Sequence, residues 1–331
     1  MHSDPDFISI VIPNYNGKHF LHDCLCSLRS QTYEKFETIV VDNGSSDGSV
    51  AYIRENFPGV RIVQNTNNRG FAGGTNDGIR VAEGSFILTL NNDTKSDPHF
   101  IEELVKHMAD PSVGMCASKM LSYDGTLIDS TGICISRSGA AWDRGRGSPA
   151  ECYSVEEEMF GPCAGAALYR RSMLDEIGLF DEDFFLVFED VDLAYRARLT
   201  GWKCIYTPKA IVYHVHGGSV NVGSDTAVYY GNRNTFWVVV KNYPVSLLLE
   251  YSPWIIGRNT GIIFHYAIRG QLTVILKSKV DALLGALSII RKRKLRSQQE
   301  AKKIIERFQH TWCEVRKQNA GDSHKTHQHI H

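Results

Sequence analysis

The stretch Leu88–Phe100, LTLNNDTKSDPHF, decides how the chain is read. An apolar run, Ser85 to Leu90, stops abruptly at Asn91-Asn92-Asp93-Thr94. A helix is expected to open at Asp97-Pro98, with proline in its first turn. Two amides and a carboxylate are thus delivered to the end of a buried strand. Asn and Asp make good turn and capping residues, so a purely structural role accounts for any one of them. The alternative is a ligand site, because open α/β sheets bind at the carboxyl ends of their strands.

Working outward toward the N-terminus, the same arrangement recurs. Phe7 to Ile12 reads as a buried strand ended by Pro13-Asn14-Tyr15-Asn16-Gly17, and Phe20, Leu21, Cys24, Leu25 and Leu28 mark one face of the next helix. Phe36 to Val41 is a second strand, ending at Asp42, and Val50, Ile53 and Phe57 mark a second helix. Val60 to Val63 is a third strand, and the polar, glycine-rich segment Asn65 to Asn76 enters a third helix. Four β-α alternations in the first ~110 residues predict a parallel, doubly wound sheet.

Toward the C-terminus the character changes. Ser122 to Ala150 is rich in Gly, Ser and Arg and reads as a hairpin or long loops on the rim, with Trp142 exposed. Ala164 to Tyr169 is a strand, Glu189-Asp190 falls just before or within the first turn of a helix, and Lys203–Tyr206 and Ala210–Val215 are short strands. From Tyr229 onward short apolar segments alternate with single charges and close on the basic cluster Arg291 to Arg296. Amphipathic helices followed by a basic cluster suit the cytoplasmic face of a membrane. A helical subdomain packed on the main body, with a solvated charge run, is the competing reading. The tail after Gln298 is expected to be a charged helix followed by a disordered His-rich end.

Composition narrows the classes. The chain has 331 residues, 43% hydrophobic and 22% charged, with a net charge of −1, so it reads as globular and no global field directs it to nucleic acid. Its eight cysteines include no C-x-x-C pair, which suits buried reduced thiols in a cytosolic setting. The first residues, MHSDPDF, lack the apolar segment of a signal peptide, and no run of about 18 uncharged apolar residues predicts a spanning helix.

Three strand ends or helix starts therefore carry acids: Asp42, Asn91-Asn92-Asp93 and Glu189-Asp190. Carboxylates gathered on one rim repel one another unless a cation joins them. Hard oxygen ligands suit Mg²⁺ or Mn²⁺, and such an ion commonly bridges a diphosphate and steadies it as a leaving group.

The ordered blocks SIVIPNYNG, VDNGSSDGS, NRGFAGGTNDGI, LNNDT, FEDVDLAYRARLTGW and YHVHGGS, spread over Ile8 to Pro244, resemble the family 2 glycosyltransferases, and more narrowly the rhamnosyltransferase-like branch. The resemblance implies a GT-A fold: an α/β nucleotide-binding sheet, mostly parallel and mixed at one edge, flanked by helices and followed here by a C-terminal helical appendage. Residues 1–240 would be the catalytic domain, with a nucleotide-sugar half (1–120) and an acceptor half (121–240). Residues 241–298 read from their composition as an amphipathic helical region, in contact with membrane or packed on the main body, and 299–331 as the charged tail, partly disordered. The implied reaction is inverting, metal-dependent sugar transfer from a nucleotide-diphosphate sugar to a glycan or lipid-linked glycan, at the inner face of the plasma membrane.

Carried over residue by residue, the resemblance gives Asp42 to the nucleotide base and Pro13, Asn14 and Tyr15 to the first donor loop. It gives Asn68, Gly70 and Asn76 to the loop before the third helix, Asn92 to the donor sugar or ribose, and Arg233 to a phosphate. Asp93 would be the first metal ligand. The family's block usually carries two acids, and here only Asp93 is charged. His214 would complete the metal site, with His216 as its rival. Asp190 would be the base that deprotonates the acceptor, with Glu189 orienting it or binding the acceptor; Asp192, two residues on, reads from its position alone as a helix-start acid favoured by the dipole. Competing classes are a non-catalytic nucleotide-sugar-binding scaffold and a sugar-phosphate nucleotidyltransferase. The latter is disfavoured because Pro13-Asn14-Tyr15-Asn16-Gly17-Lys18 lacks its early glycine-rich loop. A dinucleotide-binding protein is disfavoured because no G-x-G-x-x-G follows the first strand.

Overall fold

The computed structural model describes residues 6–215, 223–294 and 297–309. The first half alternates as expected: β1 (Ile8–Asn14), α1 (Lys18–Arg29), β2 (Phe36–Asp42), α2 (Ser49–Asn56), β3 (Arg61–Gln64), α3 (Gly70–Val81) and β4 (Phe86–Leu90). Next come β5 (Thr94–Ser96), α4 (Phe100–Val105), β6 (Val113–Ser122), β7 (Ile128–Ser130), β8 (Ile133–Ile135), β9 (Ala141–Asp143), β10 (Glu157–Met159) and β11 (Ala166–Arg170). The remainder is α5 (Arg171–Ile177), α6 (Glu189–Leu199), β12 (Lys203–His214), α7 (Asp225–Asn242), α8 (Val245–Glu250), α9 (Ser252–Ala267), α10 (Leu272–Arg291) and α11 (Gln298–Phe308).

Ten strands form one mixed sheet in the order β10-β12-β6-β11-β4-β1-β2-β3, with β5 added beside β12 and β7 beside β6. β3, β2, β1 and β4 run parallel, β11 is antiparallel to both β4 and β6, and β12 returns parallel to β6. The reversal therefore lies inside the sheet at β11 and is not confined to one edge. Side chains alternate between two cores at the strand period of two. Ile10, Ile12, Val40 and Leu88 pack against Leu21, Cys24 and Leu25 of α1 and Phe100 and Leu104 of α4. Val11, Ile39, Val41 and Ile87 share the opposite core with Ala72 and Ile79 of α3.

Several expectations are revised. The two short strands at Lys203–Tyr206 and Ala210–Val215 are one, β12, with a register irregularity between Thr207 and Ile211. Pro208 lies in that break, where its missing N–H costs no ladder bond. A short strand, β5, intervenes before the helix at Asp97-Pro98, and α4 begins at Phe100. The boundary expected at residue 240 falls inside α7, and Tyr243, Leu247, Tyr251, Ile289 and Phe308 belong to the same core as the sheet.

Candidate functional site

β1, β2 and β4 are parallel neighbours, so their carboxyl ends lie on one rim, and Asn14 stands opposite Asp42 in the register. These ends are laced together. Asn92 Nδ2 donates to Asn14 Oδ1 at 2.7 Å, and Asn14 Nδ2 donates to Asp42 Oδ1 at 3.2 Å. The other Asp42 oxygen accepts from the Ser45 N–H at 3.0 Å. Asp42 is buried and stands beside the cavity described next, not among its lining residues.

The cavity, about 550 Å³, opens at this rim. Pro13, Asn14, Tyr15, Asn68 and Gly70 line one side; Asn92, Asp93, His214, Glu189 and Asp190 complete it. Asn68 Oδ1 accepts from the Gly70 N–H at 2.8 Å, which fixes the entry to α3. Gly70 has φ +68, and a Cβ there would meet the Phe185 carbonyl oxygen at 2.3 Å. Its freedom thus serves the approach of the segment that leads into α6.

That segment is strained. Phe185, Val187 and Phe188 all have positive φ (66°, 63° and 74°), a conformation that costs a bulky or β-branched residue about 1–3 kcal/mol. Asn234, fully buried on α7, holds it by donating to the carbonyls of Phe184, Leu186 and Val187 at 2.9, 2.8 and 2.6 Å. Arg233 does not face the cavity as a phosphate ligand would. Its guanidinium donates to the carbonyls of Asp183 and Phe184 at 2.9 and 3.0 Å and sits 4.0 Å from the Trp237 ring centroid. Asn76 is likewise turned away from the cavity, bonded to the Phe180 backbone and to Glu182 Oε1.

The strained segment delivers Glu189 and Asp190 as the first residues of α6. Glu189 is buried, and among the described residues nothing donates a hydrogen bond to its Oε2. Burial, and then the neighbouring Asp190, push its carboxyl well above the usual range. Asp190 is half-buried; its oxygens accept from the N–H groups of Ala164 (3.3 Å) and Val191 (2.8 Å). Desolvation outweighs those bonds and lifts its pKa to about 6. Asp192 is no dipole-facing surface acid. It is fully buried in a charge network with Lys241, Arg196 and Asn242.

On the facing side, β12 pairs with β5 so that His214 stands opposite Thr94, next to Asp93. His214 Nε2 lies 3.2 Å from Asp93 Oδ1, and Nδ1 lies 2.7 Å from Asp129 Oδ2. Burial alone would lower the imidazole's pKa, but the two carboxylates raise it to about 9. Asp129, on β7, was not anticipated from sequence; it sits in a loop-rich stretch and meets His214 only through long-range pairing. His216 lies outside the described residues.

A metal at this position would meet two donors, and no group of three or more His, Cys, Asp or Glu that could hold a metal occurs among the described residues. Asp93 Oδ1 is buried and accepts no hydrogen bond in good geometry, and the His214 imidazole faces it. A carboxylate and an imidazole suit Mn²⁺ and leave coordination sites for other oxygens.

The model of glycosyl transferase family 2 matches residues 9–178. Over 257 residues the chain is 27% identical to the N-acetylglucosaminyl-diphospho-decaprenol L-rhamnosyltransferase of Mycobacterium tuberculosis, covering 70% of this chain and 84% of that one. It is 27% identical over 223 residues to the O-antigen biosynthesis protein RfbC of Myxococcus xanthus, covering 64% of this chain but only 17% of that protein. Its fold is similar to that of the Pyrobaculum calidifontis mannosyltransferase solved with GDP-Man and Mn²⁺. That likeness has a TM-score of 0.54 at 18% identity and covers 92% of this chain and 88% of the other. With its sheet of GT-A type and a family match over more than half its length, the chain belongs to glycosyl transferase family 2.

Proposed function

We propose that this chain is an inverting glycosyltransferase that uses Mg²⁺ or Mn²⁺ to move a sugar from a nucleotide-diphosphate donor to a hydroxyl of a glycan or lipid-linked glycan. Rhamnose or another hexose is the sugar class favoured by the rhamnosyltransferase relative. The observation that carries the reading is the shared cavity: Asp93 with His214, and Glu189 with Asp190, line the same space.

Asp93 and His214 would hold the metal, and His214 Nε2 gives up its proton to do so. When bound, such an ion stabilises the negative charge that develops on the departing diphosphate. Asp129 keeps the His214 ring oriented through Nδ1. Asp190 takes the proton from the acceptor hydroxyl as that oxygen attacks opposite the leaving group, inverting the anomeric carbon. A pKa near 6 leaves Asp190 ionised at neutral pH yet basic enough to accept that proton. Glu189, whose carboxyl is pushed well above the usual range by burial and by Asp190, stands beside it and would orient it or bind the acceptor.

We assign the acceptor to a second cavity of about 210 Å³. It is lined by Ile133, Trp142 and Asp143, and it shares Cys163, Val187, Glu189 and Asp190 with the larger one. Trp142 on β9 is half-buried and not the exposed residue expected from sequence. Its indole is a platform for a sugar ring, and Asp143 is an acceptor for sugar hydroxyls. Trp142→Ala is expected to raise the acceptor KM roughly three- to tenfold. Metal-dependent hydrolysis of the donor should stay unchanged in that variant. An equal loss in both assays would remove Trp142 from the acceptor site. The reading as a whole is tested by release of nucleotide diphosphate from a panel of donors, with metal and then with chelator.

A further inference from the structure

We infer that the C-terminal helices α9 and α10 form a docking face for an anionic lipid bilayer. α9 buries none of its residues. Trp254 and Phe264 are exposed along it, and Ile268 just beyond its end is 85% exposed. On α10, Leu276, Val280, Leu284 and Leu287 recur at steps of three and four, so they form one stripe, and Leu284 is 76% exposed. The buried residues of the same helix, Ile275, Ser278, Ala282 and Ile289, lie on the other side, against α7 and the core. Single exposed apolar residues need no explanation, but two adjacent helices presenting them together do.

Charge selects the occupant. Residues 241–296 hold ten Lys and Arg against two acids, Glu250 and Asp281, a net charge of +8. The whole chain carries −1, so the remainder is −9. Lys241 and Lys292 are paired with Asp181, Asp183 and Asp192, yet the segment stays net positive without them, so a second copy of this face would be repelled by like charge whereas an anionic leaflet attracts it. Trp254 has the apolar body and polar tip favoured at a membrane–water boundary. No helix among the described residues is long and apolar enough to cross a membrane. Lys277, Lys279 and Asp281 interrupt α10, so the face lies on the bilayer and does not span it.

The test is co-sedimentation of the full chain with vesicles of phosphatidylglycerol and phosphatidylcholine, or of phosphatidylcholine alone. It needs neither donor nor acceptor, so its failure leaves the catalytic reading untouched. The expected result is sedimentation with the anionic vesicles only, weakened by salt. The exposed-surface pair Arg269→Glu and Arg291→Glu should weaken binding about fivefold or more per charge removed. Ile268→Glu with Leu284→Glu should abolish it, with circular dichroism and melting temperature unchanged. Protein that stays in the supernatant with anionic vesicles overturns the inference, as does equal binding to neutral vesicles. A dimer in light scattering that Leu284→Glu dissociates, without vesicle binding, would assign the face to a second copy instead.

Discussion

Replacing Asp190 with Asn is expected to lower sugar transfer by about 10²- to 10⁴-fold while nucleotide binding is retained. Asn keeps the size of the side chain and can still accept from one of the two N–H groups, Ala164 or Val191, through its single amide oxygen, but it cannot take a proton. The donor side of the cavity, from Pro13 to Asn92, is untouched by the change. The same group sets the pH dependence. Its pKa is raised to about 6, and the ionised form is the active one, so kcat/KM should rise as pH passes through about 6 and fall tenfold per unit well below it. Because Glu189 is an adjacent buried carboxyl, the apparent value belongs to the pair. A variant that transfers sugar at the parental rate, or a profile flat from pH 5 to 8, would remove Asp190 from the role of base.

The largest expected effect on stability is at Lys241. Its ammonium lies 2.5 Å from Asp181 Oδ2 and 2.9 Å from Asp192 Oδ2, in a site where all three residues are buried. Lys241→Met leaves these carboxylates short of their shared cation, and breaking a buried pair in this way costs about 3–5 kcal/mol. Arg196 and Lys292 remain as partial partners, at 2.9 Å from Asp192 and 2.5 Å from Asp181. Burial alone would raise the Asp192 pKa, but Lys241 and Arg196 overcome it and hold it at about 2. A depressed folded-state pKa contributes stability that is present above the ordinary carboxylate value and lost as pH falls toward 2. The variant should therefore unfold at lower denaturant concentration and also at higher pH on acidification. An unchanged denaturation midpoint would show that the network contributes little.

The four N-terminal β-α units were readable because their periodicity is local: Ile10, Val11 and Ile12, or Val40 and Val41, divide between two cores as alternation requires. Polar strand ends marked the rim for the same reason, and Asn14, Asn92, Asp93, Glu189, Asp190 and His214 do line one cavity. What was not readable depends on distant partners. β6 is fully buried along most of its length, yet its neighbours β11 and β12 lie far along the chain. Asn76 and Arg233 look like ligand-binding residues in sequence, and their side chains bind the backbone around residues 180–184. Asn234 carries no sequence signal for its work, because the carbonyls it holds become available only when Phe185, Val187 and Phe188 take positive φ. The hydrophobic helices at the C-terminus suggested either a packed subdomain or a membrane face. The structure divides them: α7 and part of α10 enter the core, while α9 buries none of its residues fully and touches the core through Ile255.

The most direct test of the catalytic account is nucleotide release. The purified chain would be incubated with UDP-, dTDP- and GDP-sugars in the presence of Mn²⁺ or Mg²⁺, then with chelator, and free nucleotide diphosphate measured. The account predicts slow hydrolysis of one donor that stops on chelation and is lost in Asp93→Ala. Release that persists undiminished in chelator would contradict the metal site. No release across the panel, together with no donor binding by calorimetry, would contradict the assignment as a transferase.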